Sequence, residues 1–264
     1  MDMTLEQYIL NPMGKNNAVL NASMRELMRK QYMHKFDNIL LRENGKIEYY
    51  LYKDSKSNTY WAHIKVPSET VKKFYYDVVL KFSANQSTDG AGDDLFKYNV
   101  EFYSNDPSFV YTYAYVFRTN DLFIKELSSK MSKKALKQAP TEKNPGNNIG
   151  YVKAIYFAYL VMQNRKLNKK SKFTDESKPL DPKLLLSMIE EADEKIAKRQ
   201  EEGKHVSKRK KVRIEDKDIQ KRFLQTTKGS SDLGRLEVTT TKRVGTIKNS
   251  NVKSTKTVKT IKKK

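Results

Sequence analysis

Residues 203–264 hold 20 Lys and Arg against 5 Asp and Glu, and from residue 226 onward no apolar face recurs with a helical or strand period. This segment carries +15 of the chain's formal +21 and leaves +6 for the first 202 residues. Self-repulsion of that density does nothing for a fold, so any globular structure must be built from the first three quarters of the chain. Aromatic residues agree with this division. Of 16 Tyr and 11 Phe, only Phe173 and Phe223 lie beyond residue 167. A body of more than 150 residues is large enough to be stable without cross-links. With no Cys in the chain, disulfides, thiolate nucleophiles, iron–sulfur clusters and Cys-based zinc sites are excluded.

The body reads as α+β, with an antiparallel sheet of about five strands packed with several helices. Thr4 with Gln7, and Ser23 with Glu26, have the spacing at which side chain and backbone cap a helix start reciprocally. From residue 24 to about 35 the spacing of Met24, Leu27, Met28 and Tyr32 predicts an amphipathic helix. Asn44-Gly45 lies between two β-prone runs and predicts a tight hairpin with arms at 39–42 and 47–53. Further strands are expected at 60–66, ended by Pro67, at 74–82, where apolar and other residues alternate, and at 98–103. Their short connections call for antiparallel pairing. Asp106-Pro107 predicts a cap and first helical position, 122–137 a second helix with a basic exposed side, and 150–168 a buried helix.

The composition changes beyond residue 169, which predicts three regions: a compact domain over 1–170, a helical linker and docking segment over 171–225, and a basic extended or disordered tail over 226–264. Asp181-Pro182 opens a helix expected to run to about 202, with a short helix at 214–225 after it. Leu184, Leu185, Met188, Ile189 and Ile196 share one stripe of the first helix and need a partner, either the domain or a neighbouring subunit; we assign them to a subunit interface. The candidate polyanion contacts are Lys204, Lys208, Arg209, Lys210, Lys211, Arg213, Lys242, Arg243, Lys262, Lys263 and Lys264. Residues 208–213 also fit an import signal or a solvated linker. Residues 237–264 interleave Thr, Val and Ile with Lys, a composition that favours an extended chain able to add to a neighbour's sheet edge.

Chemistry-bearing patterns are sparse. His34, His63 and His205 are the three histidines, and no two stand at a helix-spaced metal-ligand interval. His34 with Asp37, and His205 with Glu201, supply two ligands each, which do not make a site; His63, beside Trp61 in a strand, is expected to be structural. Asp89, Asp93 and Asp94 lie in a glycine-containing loop without the alternating ligands and terminal Glu of a calcium loop. There is no phosphate-cradling glycine loop and no nucleophile elbow. We expect neither an enzyme nor a cofactor, and no metal or small-molecule substrate. Tyr49, Tyr50, Tyr52, Trp61, Tyr75 and Tyr76 could stack nucleobases on the sheet, or fill its core. No apolar run reaches the ~20 residues of a membrane span, and the first residues lack a secretory signal, so synthesis in the cytoplasm is expected.

The stretch YNVEFYSNDPSFVYTYAYVF, residues 98–117, resembles segments of virion structural proteins of tailed phages with AT-rich genomes, whose Lys, Asn, Tyr and Ile bias and lack of Cys this chain shares. The resemblance implies a non-enzymatic assembly role in the virion, at the head–tail neck or on the capsid. It also implies a homo-oligomer or ring whose terminal extensions reach other virion proteins with acidic surfaces, or packaged DNA. The alternative is a non-specific nucleic-acid-binding protein that uses the Lys/Arg-rich arm alone.

Overall fold

Thr4 and Gln7 close the first helix as their spacing predicts. Gln7 Oε1 accepts from the Thr4 amide at 2.9 Å and Thr4 Oγ1 accepts from the Gln7 amide at 3.1 Å, satisfying two of the donors that a helix start leaves free. The computed structural model describes residues 2–10, 22–84, 92–144 and 146–209; for 22–25 and 203–209 it describes the backbone alone. The chain divides into two units, Met1–Val212 and Arg213–Lys264, and all described residues belong to the first.

In chain order the elements are α1 (Leu5–Leu10), α2 (Ala22–Arg42), β1 (Tyr49–Asp54), β2 (Thr59–Pro67), β3 (Tyr75–Ser83) and β4 (Asn99–Ser104). A π-helical stretch (Phe109–Tyr113) then runs into α3 (Ala114–Thr119), and a 3-10 stretch (Lys125–Lys130) precedes α4 (Lys133–Lys137). Next come α5 (Lys153–Asn164), α6 (Lys170–Asp175), β5 (Lys178–Pro179), α7 (Pro182–Met188) and α8 (Ala192–Arg209). The sheet order is β4-β3-β2-β1-β5, antiparallel except for the parallel β1–β5 pair.

Strand alternation gives the sheet two unlike faces. Ile64, Val66, Val78, Leu80, Phe82, Val100 and Phe102 are buried on one face, and α5 crosses it over β2, β3 and β4. That helix is apolar on several sides, so it needs cover all round. Its outer side meets α2, with Phe36 5.6 Å from Phe157 and Tyr32 5.8 Å from Tyr156, measured between ring centres. Tyr8 of α1 packs on Phe102 at 4.9 Å; its hydroxyl donates to Gly150 O and accepts from the Val152 amide, both at 3.0 Å, fastening α1 to the start of α5. Gly150 leaves room for a ring here, because a Cβ would lie 2.7 Å from the Tyr113 hydroxyl.

The opposite face carries Trp61, His63, Lys65, Asp77, Lys81, Glu101 and Tyr103. The register sets Lys65 across from Asp77 and Lys81 across from both Trp61 and Glu101. Lys81 bonds Glu101 at 3.3 Å and, from the 3-10 stretch, Glu126 at 2.7 Å. The Tyr103 hydroxyl donates to Lys130 O at 3.1 Å. The connection between α7 and α8 covers the other half of this face: Tyr52 donates to Met188 Sδ at 3.3 Å, and Asn105 Nδ2 to Glu190 O at 3.3 Å.

Four local expectations come out differently. Asn44 and Gly45 take positive φ, 52° and 69°, as the dipeptide predicts, yet they end α2 rather than turning a hairpin. Gly45 N–H donates to Leu40 O at 2.7 Å and Asn44 N–H to Leu41 O at 3.2 Å, the paired bonds of a left-handed helix cap. Residues 39–42 are therefore helical. The helix expected at 122–137 is interrupted because Phe102 takes Leu122 and Ile124 as edge partners: its amide donates to Leu122 O at 2.7 Å and its carbonyl accepts from Ile124 N at 3.2 Å. With Val100 N–H donating to Met3 O at 2.9 Å, the free edge of β4 is covered. The sheet is mixed because β5, a pair of residues without a readable pattern, joins β1.

The fourth difference concerns the stripe assigned to a subunit interface. Asp181 caps α7 as expected, accepting from Lys183 N at 2.9 Å and Leu184 N at 3.4 Å, but the helix stops at Met188. Leu185, Ile189 and Ile196 are buried in the same apolar cluster as the sheet, while Leu184 is 47% exposed and Met188 half-buried. Phe173 is also fully buried, against Tyr60 at 5.5 Å. The core thus continues past residue 170 to Ile196, because the change in composition there reflects charge added to the outer faces. Lys210, Lys211, Arg213, Lys242, Arg243, Lys262, Lys263 and Lys264, with the expected 214–225 helix and extended tail, lie outside the described residues; of Lys204, Lys208 and Arg209 only the helical backbone is described.

Burial of Ile189 inside its own subunit has a direct consequence. Ile189→Ala should lower the unfolding free energy by about 2–5 kcal/mol, by an amount independent of protein concentration in urea titrations. A loss that grows on dilution would return the residue to an interface.

Candidate functional site

Polar residues at alternate positions of β2 and β3 come together beneath the α7–α8 connection. Asp77, His63 and Asn105 are each fully buried. Asp77 Oδ1 lies 2.9 Å from His63 Nε2 and 2.8 Å from Lys65 Nζ. Its Oδ2 accepts from Asn105 Nδ2 at 2.8 Å, and its amide donates to Asn105 Oδ1 at 2.7 Å. Burial alone would push the Asp77 carboxyl up, but the hydrogen bonds and charges of His63 and Lys65 outweigh it and hold the group well below the usual carboxylate range. Burial, with the Asp77 and Glu191 charges, pushes the Tyr103 phenol well up.

A carboxylate-oriented imidazole is the arrangement general-base chemistry uses, and such a base must reach the proton it takes. His63 and Asp77 are sealed on all sides. What the cluster does reach is backbone: Lys65 Nζ donates to Met188 O at 3.4 Å and Asn105 to Glu190 O at 3.3 Å. Those two carbonyls flank Ile189, so the cluster latches the segment that carries the chain toward its basic end. His63 Nδ1 is buried without a hydrogen-bond partner.

Next to the latch, on the α5 side of the sheet, is a cavity of about 50 Å³ lined by Ser68, Glu69, Tyr76, Asp106, Lys153 and Arg199, among others. Glu69 binds Lys35 at 3.1 Å and Lys153 at 2.7 Å. Burial raises Asp106 against the opposing pull of Lys153 and the Phe109 and Ser108 amides, and burial pushes Tyr76 up to about 12. Opposite charges line this small space together, and its volume suits about one water molecule. A roomier cleft of about 460 Å³ opens between the π-helical stretch and residues 132–143, with Tyr111, Tyr115, Lys134, Gln138 and Lys143 among its walls.

The other sequence candidates resolve locally. His34 is paired with Asn38 at 3.4 Å rather than with Asp37. Asp94 caps the short turn Leu95–Lys97 and accepts from Asn168 at 2.9 Å, and Asp93 accepts from the Ser171 amide at 3.1 Å; Asp89 and the His205 side chain lie outside the description. Among the described residues no three potential ligands gather around a metal position, and no helix is long and apolar enough to cross a membrane. Of the sheet aromatics, Tyr52, Trp61 and Tyr76 are buried and Tyr49, Tyr50 and Tyr75 half-buried, so none offers an open ring face. Sequence reading missed Asp77 as a hub and Tyr111 as an exposed ring. The signal for the first was Lys65 and Asp77, opposite charges on two strands otherwise rich in apolar residues.

A folded-state pKa below the unfolded value means that Asp77 adds stability above the unfolded pKa of about 3.9, and that the contribution is lost as pH falls through the lower folded value. Asp77→Asn should cost about 3–5 kcal/mol near pH 7 by leaving Lys65 uncompensated. The gap from the parent chain should narrow below about pH 4, a trend to be read from urea unfolding across pH 2–7. A gap that stays constant would remove Asp77 from the acid response.

Neither protein-family models, nor curated proteins, nor solved structures give a match to this chain. Its geometry and its charge distribution are the basis for a functional reading.

Proposed function

We propose that this chain is a non-enzymatic structural protein of a tailed-phage virion, a head–tail connector or neck component that docks on neighbouring subunits through its basic C-terminal arm. The observation that carries this reading is the division of labour along the chain. The body completes its own core with residues up to Ile196, whereas residues 203–264 add a net +15. A segment of that charge, on a body whose core is already closed, finds its free energy in a polyanion or an acidic protein surface. Its Thr, Val, Ile and Lys pattern suits an extended strand laid along a neighbour. The burial of Leu185, Ile189 and Ile196 in the body's own core supports giving subunit contact to the arm rather than to the α7–α8 stripe. The virion setting rests on the resemblance of residues 98–117.

A second reading, non-specific nucleic-acid binding by a free-standing protein, draws on the same charge. Six phosphate contacts would lower affinity about 10³-fold between roughly 50 and 200 mM salt. Particle size separates the two readings. Rings or higher oligomers in light scattering, lost on truncation after Val212, support assembly; a monomer that shifts any DNA in a gel supports the rival. In either case the truncated chain should melt within about 2 °C of the full chain. A larger drop would mean that the arm is part of the fold, which neither reading allows.

A further inference from the structure

Tyr111 is the one aromatic side chain among the described residues that counts as exposed, at 57% of its surface. Its neighbours in the same helical run turn inward. Phe109 packs on Phe117 at 5.3 Å and Tyr113 on Phe117 at 6.3 Å. Tyr111 faces the 460 Å³ cleft instead, and Tyr115, four residues on and half-buried, lines it too. The π-helical winding of Phe109–Tyr113 sets these directions, since an extra residue in a turn shifts side chains off the ordinary helical stripe.

The far wall is basic. Lys134 and Lys143 line the cleft, and Lys133 and Lys137 are exposed on the same short helix, α4. Glu142 is the single acid on the lining. None of these four lysines is in an ion pair with another described residue, unlike Lys35, Lys65, Lys81 and Lys153, each of which holds a carboxylate. An open ring face beside unpaired cations is the combination that binds single strands, with the ring stacking a base and the cations meeting phosphates. A duplex hides its base faces. A proline-rich peptide could lie against the tyrosines but would gain nothing from the lysines, and a basic arm from a second copy would be repelled by them.

We propose that the cleft between Tyr111 and the Lys134–Lys143 wall binds single-stranded nucleic acid, stacking a base on Tyr111 and possessing no need of the basic arm. The site is on the body, so it is distinct from the arm contacts proposed above and stands or falls separately from them.

The test uses the full chain and three labelled probes followed by fluorescence anisotropy over a range of salt: an oligothymidylate, an abasic strand of the same length, and heparin. The arm meets all three as polyanions, whereas stacking requires bases. The oligothymidylate should bind more tightly than the abasic strand. Tyr111→Ala and Tyr111→Leu should each weaken it by roughly tenfold to a hundredfold and leave the abasic strand and heparin unchanged. Tyr111→Phe, which keeps the ring, should bind as the parent does. Replacing Lys134 and Lys143 together with Ala should flatten the salt dependence for both strands by about two phosphate contacts. Equal binding of the two strands at every salt concentration would overturn the proposal. So would an equal loss on all three probes in Tyr111→Ala, or capture of a proline-rich peptide without any preference for bases. Because Tyr111 is exposed, its replacements leave the core intact, and the Leu variant guards against an effect of lost bulk.

Discussion

One buried carboxylate ties β2, β3 and the end of β4 to the α7–α8 connection. Removing Asp77 from water carries a desolvation cost of several kcal/mol, offset by the donors converging on it at 2.8–2.9 Å from His63, Lys65 and Asn105. Two of those donors also hold backbone, Lys65 on Met188 O and Asn105 on Glu190 O. Here α7 ends at Met188, Ile189 is extended and buried, and α8 begins at Ala192, with Ala192 and Ile196 buried as well. An apolar pair in place of Lys65 and Asp77 could fill the same volume but could not bind Met188 O, and would leave Asn105 without the carboxylate that it also donates to, so the cluster acts on the path of the chain more than on its net stability.

What the sequence made readable was chemistry confined to a few neighbouring residues. The Thr4–Gln7 box, the Asp106-Pro107 and Asp181-Pro182 starts, the end of β2 at Pro67, and the alternation of β3 and β4 are complete within short windows. Asn44-Gly45 shows the limit of such windows. Positive φ at both residues serves a hairpin and a helix end equally well, and the choice was made by Phe36 and Ile39, whose burial under the core extends α2 to Arg42. The same limit hid the hub, because Lys65 and Asp77 are 12 positions apart and become cross-strand neighbours only once the β2–β3 register is fixed. Tyr111 was hidden for another reason. It stands in an aromatic run whose other members are largely core, and its outward direction depends on a π-helical turn that no residue pattern announces.

Charge is distributed by different rules in the body and beyond it. In the body many lysines are matched across the sheet or along a helix: Lys81 with Glu101 and Glu126, Lys153 and Lys35 with Glu69, Lys172 with Glu176. Most of these pairs are partly exposed and worth little individually, and other cations, Lys133, Lys134, Lys137 and Lys143 among them, are in no ion pair with a described residue. Residues 203–264, with 20 basic and 5 acidic residues, cannot be matched internally whatever their conformation.

That imbalance sets the physics of any contact the arm makes. Binding by unmatched cations is driven by counterion release, so it fades with salt and is blind to sequence. Packing and stacking contacts fade far less. A chain that relied on its arm alone would let go of its partner at high ionic strength, whereas one that also held a base or an apolar edge would keep a residual grip. The Val and Ile residues spaced through 238–261 and the open ring of Tyr111 are two features able to supply that salt-insensitive share. They sit on different units of the chain, so their contributions can be removed one at a time.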